Sequence, residues 1–271
     1  MQGLHDFIAT EDKIRYINSL LQVGFDTIDF GSFVSPKAIP QMADTAKVLE
    51  GLDLSETDTK LLAIIANRRG AIQALEFDQI EHLGYPFSIS ESFQLRNTNA
   101  TIEESLERVK QIQDLCVAKD KKLVIYISMG FGNPYGDVWN VEIVNKWVNT
   151  LTALEIPIFQ LSDTIGVARP ETIEHLFSNL IPEHPNVEIG AHFHTTPDTW
   201  EEKVLSAWEN GCRRFDGTIG GLGGCPMAQN KLVGNMPSEQ LIWFATERSI
   251  PINLNLEKYG ECRRIASQIM L

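Results

Sequence analysis

The sequence has little sulfur and places it without pattern. Its four cysteines, Cys116, Cys212, Cys225 and Cys262, show no CxxC spacing, and four in 271 residues make no disulfide framework. Long apolar runs are missing too. None approaches the roughly 20 residues that span a bilayer, and the first residues lack the basic-then-apolar pattern of a signal peptide. Positive charge is short: 23 Lys and Arg against 36 Asp and Glu leave a net −13. Such a surface repels phosphate backbones, so nucleic acid is not an expected partner. A small anionic substrate remains compatible if a local cation, such as a bound metal, draws it in. No linker-like or low-complexity stretch divides the chain, so residues 1–271 read as one domain. These absences describe a cytoplasmic protein with reduced thiols and no membrane segment.

What is present is an alternation of two periods. Runs at 25–30, 61–66, 79–83, 123–128, 156–162, 187–194 and 213–219 read as strands. Patterns at 11–23, 40–52, 70–77, 141–154, 171–181, 200–209 and 239–248 read as helices, the fifth led by Pro170 as its first helical residue. Thr101-Ile102-Glu103-Glu104 matches a capping box and opens another helix, carrying Leu106, Val109, Ile112 and Leu115 on its apolar face. The tail beyond Ile250 reads as a polar turn and a short final helix. Strands alternating with helices give a parallel sheet. The strand count is seven and the chain opens on a helix. A doubly wound sheet accommodates that number; a barrel requires one more strand, which would lie before Met1.

In either architecture chemistry gathers at the C-terminal ends of the strands. The polar residues there are Asp29, Asn67, Ser128, Asp163, His192 and His194. Positions i and i+2 of a strand face one side, so His192 and His194 project together, with Phe193 opposite. Two imidazoles on one rigid strand make a metal platform for oxygen ligands to complete; two hydrogen-bonded structural histidines satisfy the same spacing. Asp163, in LSDTIG, could orient a substrate hydroxyl or a water, or could cap the turn. The segment 216–238 carries Gly217, Gly220, Gly221, Gly223, Gly224 and Gly234. It lacks the GK[ST] ending of a phosphate-binding loop and opens no helix. Its length suits a functional lid. Cys225 follows Gly220, Gly221, Gly223 and Gly224, a place for a thiol that approaches a ligand and withdraws; a lone cysteine is otherwise a small buried filler.

Four segments in order resemble the 3-hydroxy-3-methylglutaryl-CoA lyase family: SFVSPKAIPQMAD at 32–44, DTIGV at 163–167, AHFH at 191–194, and GLGGCP ending at Pro226. The likeness runs through nearly the whole chain. It implies a (β/α)₈ TIM barrel whose first strand lies outside this sequence, and a carbon–carbon lyase acting on an acyl-CoA substrate in leucine degradation. It further implies a divalent metal, Mg²⁺ or Mn²⁺, with His192, His194 and Asn235 as ligands, although the loop is one residue longer before Asn235. The resemblance makes Cys225, Asp163 and His192 the catalytic residues: Cys225 matches the loop thiol that moves a proton, and Asp163, the acidic residue of DTIG, or a histidine such as His192 would take the proton of the substrate hydroxyl. Asp29 stands, as a substrate-binding residue, where the family usually has glutamate, one methylene longer. Ser32 and Gln2 match positions beside the substrate. The family's Arg-Asp pair, a metal ligand and its cationic neighbour, has no counterpart here. A homodimer fits the resemblance. Two other readings are compatible: a Claisen-type synthase or aldolase of the same superfamily, and an inactive remnant.

Overall fold

The computed structural model describes residues 1, 6–223 and 233–270. Six strands pair in parallel and in chain order: β1 (Thr27–Ser32), β2 (Lys60–Ile64), β3 (Ile80–Ser88), β4 (Lys122–Ser128), β5 (Ile158–Asp163) and β6 (Glu188–Thr195). A two-residue strand, β7 (Gly234–Asn235), runs antiparallel to the tip of β6. Between the strands come α1 (Thr10–Leu21), α2 (Thr45–Glu50), α3 (Arg68–Ala74), α4 (Glu91–Thr98), α5 (Ile102–Ala118), α6 (Val141–Thr152), α7 (Pro170–Glu183) and α8 (Trp200–Glu209). The chain ends with α9 (Ser238–Glu247) and α10 (Leu256–Met270). Among the described residues, no helix is long and apolar enough to cross a membrane.

The strand expected at 213–219 needs correction. It survives only as two isolated bridges, Ala191 with Phe215 and Thr218 with Pro237. Ala191 donates to Arg214 O at 2.9 Å and Asp216 donates to Ala191 O at 3.0 Å. The chain then leaves the ladder at Gly217 and tightens into a 3-10 turn over Ile219–Gly221, where Gly220 holds φ 68°. The outer edge of β1 pairs with no strand among the described residues. An ion pair crosses below that edge, where Arg214 lies 3.1 Å from Glu188 and 3.8 Å from Asp26.

Alternation along each strand sorts side chains into two clusters. Ile125 and Ile127 on β4, Phe159 and Leu161 on β5, and Ile189, Ala191 and Phe193 on β6 pack outward into one large core beneath the helices. Leu62, Val124 and Ile158 point inward, with Ile64 and Tyr126 against them. Strand parity therefore places Gln160 inward and Asp163 outward on β5, and Gly190, His192 and His194 inward on β6.

Local signals explain most helix starts. Glu104 N donates to Thr101 Oγ1 at 3.0 Å and Thr101 N donates to Glu104 Oε2 at 2.9 Å, the reciprocal capping box. Asn67 is a cap as well: its Oδ1 accepts from Gly70 N at 2.9 Å, which removes it from the candidate site. The final helix has 15 residues rather than a short turn, because Tyr259, Cys262 and Ala266 form a buried stripe; it packs on α1.

Candidate active site

His192 and His194 lie on the inner face of β6, their ring centroids 5.7 Å apart. The His192 ring is held from behind. Nδ1 of His192 sits 3.0 Å from Asp216 Oδ2. Gln160, fully buried on β5, donates through Nε2 to the other oxygen of Asp216 at 2.7 Å. Tyr126 meets the His192 ring edge-on at 5.5 Å. His194 is buried, and its pKa falls to about 3 through burial, then the neighbouring His192 and the Lys203 ammonium. It is therefore neutral near pH 7, the form that lends a ring lone pair to a metal.

The antiparallel turn onto β7 brings the third expected residue alongside, with Asn235 paired directly to His194. Its Nδ2 donates to Leu222 O at 3.1 Å, which leaves the amide oxygen as the atom to offer a cation. The stem of the glycine-rich segment is fixed at the same place. Thr218 Oγ1 donates to Leu222 O at 3.0 Å, and Gly220 N donates to the carboxylate of Glu239.

Asp29, on β1, faces the same interior. Burial pushes its carboxyl up to about 7, with Asp216 adding to the rise and the Met1 amino group and His192 opposing it. Its side chain also reaches solvent. Ser32 is buried at the end of β1, and its hydroxyl has no hydrogen-bond partner among the described residues.

Asp163 stands apart from this group. Its outward parity delivers the carboxylate to Lys203 of α8 at 2.7 Å, with both side chains at most 1% exposed. The remaining oxygen accepts from Val167 N at 2.7 Å and Ala168 N at 3.1 Å. Lys203 also donates to Gly166 O at 3.1 Å and His194 O at 3.0 Å. Asp163, expected to take a substrate proton, here accepts three hydrogen bonds that join two strand ends. Cys225 and Gln2 lie outside the described residues.

Sequence reasoning passed over Gln160, Asp216, Tyr126 and Lys203. Asp216 carried the signal already applied to Asp163, a carboxylate at a strand end. Gln160 follows from parity once β5 is placed. Lys203 gave no signal, since a lysine on an amphipathic helix ordinarily lies in solvent.

Comparison with known proteins settles the relationship. The HMGL-like family model matches residues 1–265. The chain belongs to the HMGL-like family. Among HMGL-like relatives, hydroxymethylglutaryl-CoA lyase YngG of Bacillus subtilis is 35% identical, over 93% of this chain and 83% of that protein. The 3-hydroxy-3-isohexenylglutaryl-CoA/hydroxymethylglutaryl-CoA lyase of Pseudomonas aeruginosa is 33% identical, over 88% and 78%. The solved HMG-CoA lyase of Acinetobacter baumannii, in complex with coenzyme A and 3-methylmalate, superposes with a TM-score of 0.91 at 31% identity, covering 99% of this chain and 87% of that one. This likeness supports the α/β TIM-barrel class expected for an HMGL-like chain. The carboxyl transferase domain of Rhizobium etli pyruvate carboxylase, at 14% identity and a TM-score of 0.65, shares the fold alone.

Proposed function

We propose that the chain is a hydroxymethylglutaryl-CoA lyase, splitting 3-hydroxy-3-methylglutaryl-CoA into acetoacetate and acetyl-CoA with a divalent metal, Mg²⁺ or Mn²⁺. The observation that carries this reading is the convergence of His192, His194 and Asn235 where β6 meets β7. The names of the 33–35% identical relatives support it. Three donors here can serve such an ion: one ring anchored through Nδ1, one held neutral by burial, and an amide oxygen with no hydrogen-bond partner among the described residues. When bound, the cation supplies Lewis acidity toward the hydroxyl and carboxylate of the substrate.

The residues of the chain account for the rest of the reaction as follows. The tertiary hydroxyl gives up its proton, the bond between carbinol carbon and thioester α-carbon breaks, and a ketone forms. The electron pair passes to the thioester as an enolate, which takes a proton at its α-carbon. Asp29, raised toward neutrality and facing the interior, is the carboxyl positioned to receive the hydroxyl proton. Ser32 offers an unsatisfied hydroxyl at the same strand ends. Cys225 is proposed to protonate the enolate carbon, since a thiol pKa of roughly 8.5 makes it a usable acid near pH 7. Asp163 and Lys203 fix the backbone behind His194. A homodimer of full-length chains belongs to the same proposal, and light scattering on the purified protein checks it.

The test is direct turnover. Purified chain with 3-hydroxy-3-methylglutaryl-CoA and Mn²⁺ should release acetoacetate and acetyl-CoA in equal amounts, and EDTA should stop it. No product with any divalent ion would refute the lyase reading. Cleavage of a free hydroxy-keto acid in place of the thioester would point to an aldolase.

A further inference from the structure

Gln160 and Asp216 have no role in the reaction just described, yet they are the polar groups placed directly behind His192. We infer that Asp216 is a positioning residue that fixes His192 in the Nδ1–H tautomer, and that Gln160 acts through it by holding the carboxylate in place. The inference rests on the reading of His192 as a metal ligand.

The geometry runs in one line across three chain segments. Nδ1 of His192 lies 3.0 Å from Asp216 Oδ2, and Asp216 Oδ1 accepts from Gln160 Nε2 at 2.7 Å. A carboxylate only accepts hydrogen bonds, so the ring nitrogen that faces it carries the proton. In the neutral ring the other nitrogen, Nε2, is then bare, with its lone pair available to a cation shared with His194 and Asn235. Without the carboxylate, either tautomer is open to His192, and a proton on Nε2 blocks ligation. A partner behind a ligating histidine is worth about 10- to 100-fold in metal affinity.

Gln160 looks built for this purpose. Its side chain is fully buried inside the barrel. Its Oε1 has no hydrogen-bond partner among the described residues, so the bond to Asp216 is what orients the amide. Space for it comes from Gly190, two residues before His192 on the same strand face: a Cβ there would collide with Gln160 Oε1. A buried acceptor left without a partner is costly to the fold, which sets the unmet Oε1 against the bond that Nε2 makes to Asp216. Gly190 and Gln160 together keep Asp216 from rotating away from the ring.

Two measurements on the whole purified chain test this. Long-range ¹H–¹⁵N NMR on metal-free protein reports which ring nitrogen of His192 is protonated. Mn²⁺ titration followed by EPR reports affinity. The wild type should show protonation at Nδ1. Asp216→Ala should lose that preference and weaken Mn²⁺ binding by about 10- to 100-fold. Asp216→Asn keeps the shape for the case in which the alanine variant folds poorly, and should weaken binding as well. Gln160→Leu alone should cost a smaller factor, and that factor should vanish on the Asp216→Ala background, because Gln160 works only through the carboxylate. Protonation of wild-type His192 at Nε2 would overturn the inference. So would Asp216→Ala and Asp216→Asn variants that bind Mn²⁺ like the wild type. A Gln160→Leu loss undiminished on the Asp216→Ala background would overturn the part assigned to Gln160. A wild-type protein that bound no Mn²⁺ would refute the metal reading instead, while the tautomer of the metal-free protein would still decide this one.

Discussion

Lys203→Met should be the most damaging single substitution outside the inner face of the barrel. The ammonium and the Asp163 carboxylate are both almost fully buried, 2.7 Å apart. Burial pushes the carboxyl of Asp163 up, and Lys203, with two backbone N–H groups, pulls it back. Methionine matches the stem in volume but removes the charge and the donors to Asp163, Gly166 O and His194 O. Removing one partner of a buried pair strands the other charge, at a cost of about 3–5 kcal/mol. Urea unfolding followed by circular dichroism measures it. The loss should depend on pH in a definite sense. Without Lys203 the folded pKa of Asp163 rises further above its unfolded value, so the deficit is full at neutral pH and shrinks as acid neutralises the carboxyl. The double variant Lys203→Met, Asp163→Asn should regain much of the loss, because no bare charge remains. A Lys203→Met protein within about 1 kcal/mol of wild type, well below the range for a buried pair, would refute the argument.

Other outcomes follow from the same geometry. His82 is buried at the foot of the barrel, and burial, then Arg214, hold its pKa down to about 4. A depressed histidine contributes stability above its unfolded pKa, which is lost as pH falls through the folded value. His82→Gln should therefore flatten the stability–pH curve between about pH 6.5 and 4, by up to about 3 kcal/mol; an unchanged slope would count against it. Gly166 holds φ 73°, and a Cβ there would run into Val233. Gly166→Ala should lower the denaturation midpoint by the equivalent of about 1–3 kcal/mol. Thr101→Ala removes half of the capping box and should cost about 1 kcal/mol in the same assay.

The fold was legible where one strand or helix carries its own pattern. The runs at β2 and β4 are apolar because both faces are covered, and the capping box and Pro170 mark helix starts by chemistry local to them. Helix α4 escaped because it buries only Phe93 and Gln94 and takes its start from Ser90. The strand at 213–219 was overstated because only Phe215 and Ile219 in it are apolar, and its backbone pairs only through isolated bridges on either side of Gly217. At the site, the histidine pair could be read from i, i+2 spacing. The orientation of Asp163 could have been read too, since the same parity that turns His192 inward turns the last residue of β5 outward. Lys203 could not, because only tertiary packing brings a helix lysine beneath a strand end. Nor could sequence spacing reveal that Asn235 pairs with His194, which depends on a β7 reversal separated from β6 by the whole glycine-rich segment.

The account stands on His192, His194 and Asn235 forming a divalent metal centre, and Mn²⁺ titration watched by EPR tests that directly. The wild type should take up a single tightly held ion per chain, with His192→Ala, His194→Ala and Asn235→Ala each weakening it sharply. Equal Mn²⁺ binding by the wild type and the two histidine variants would contradict it.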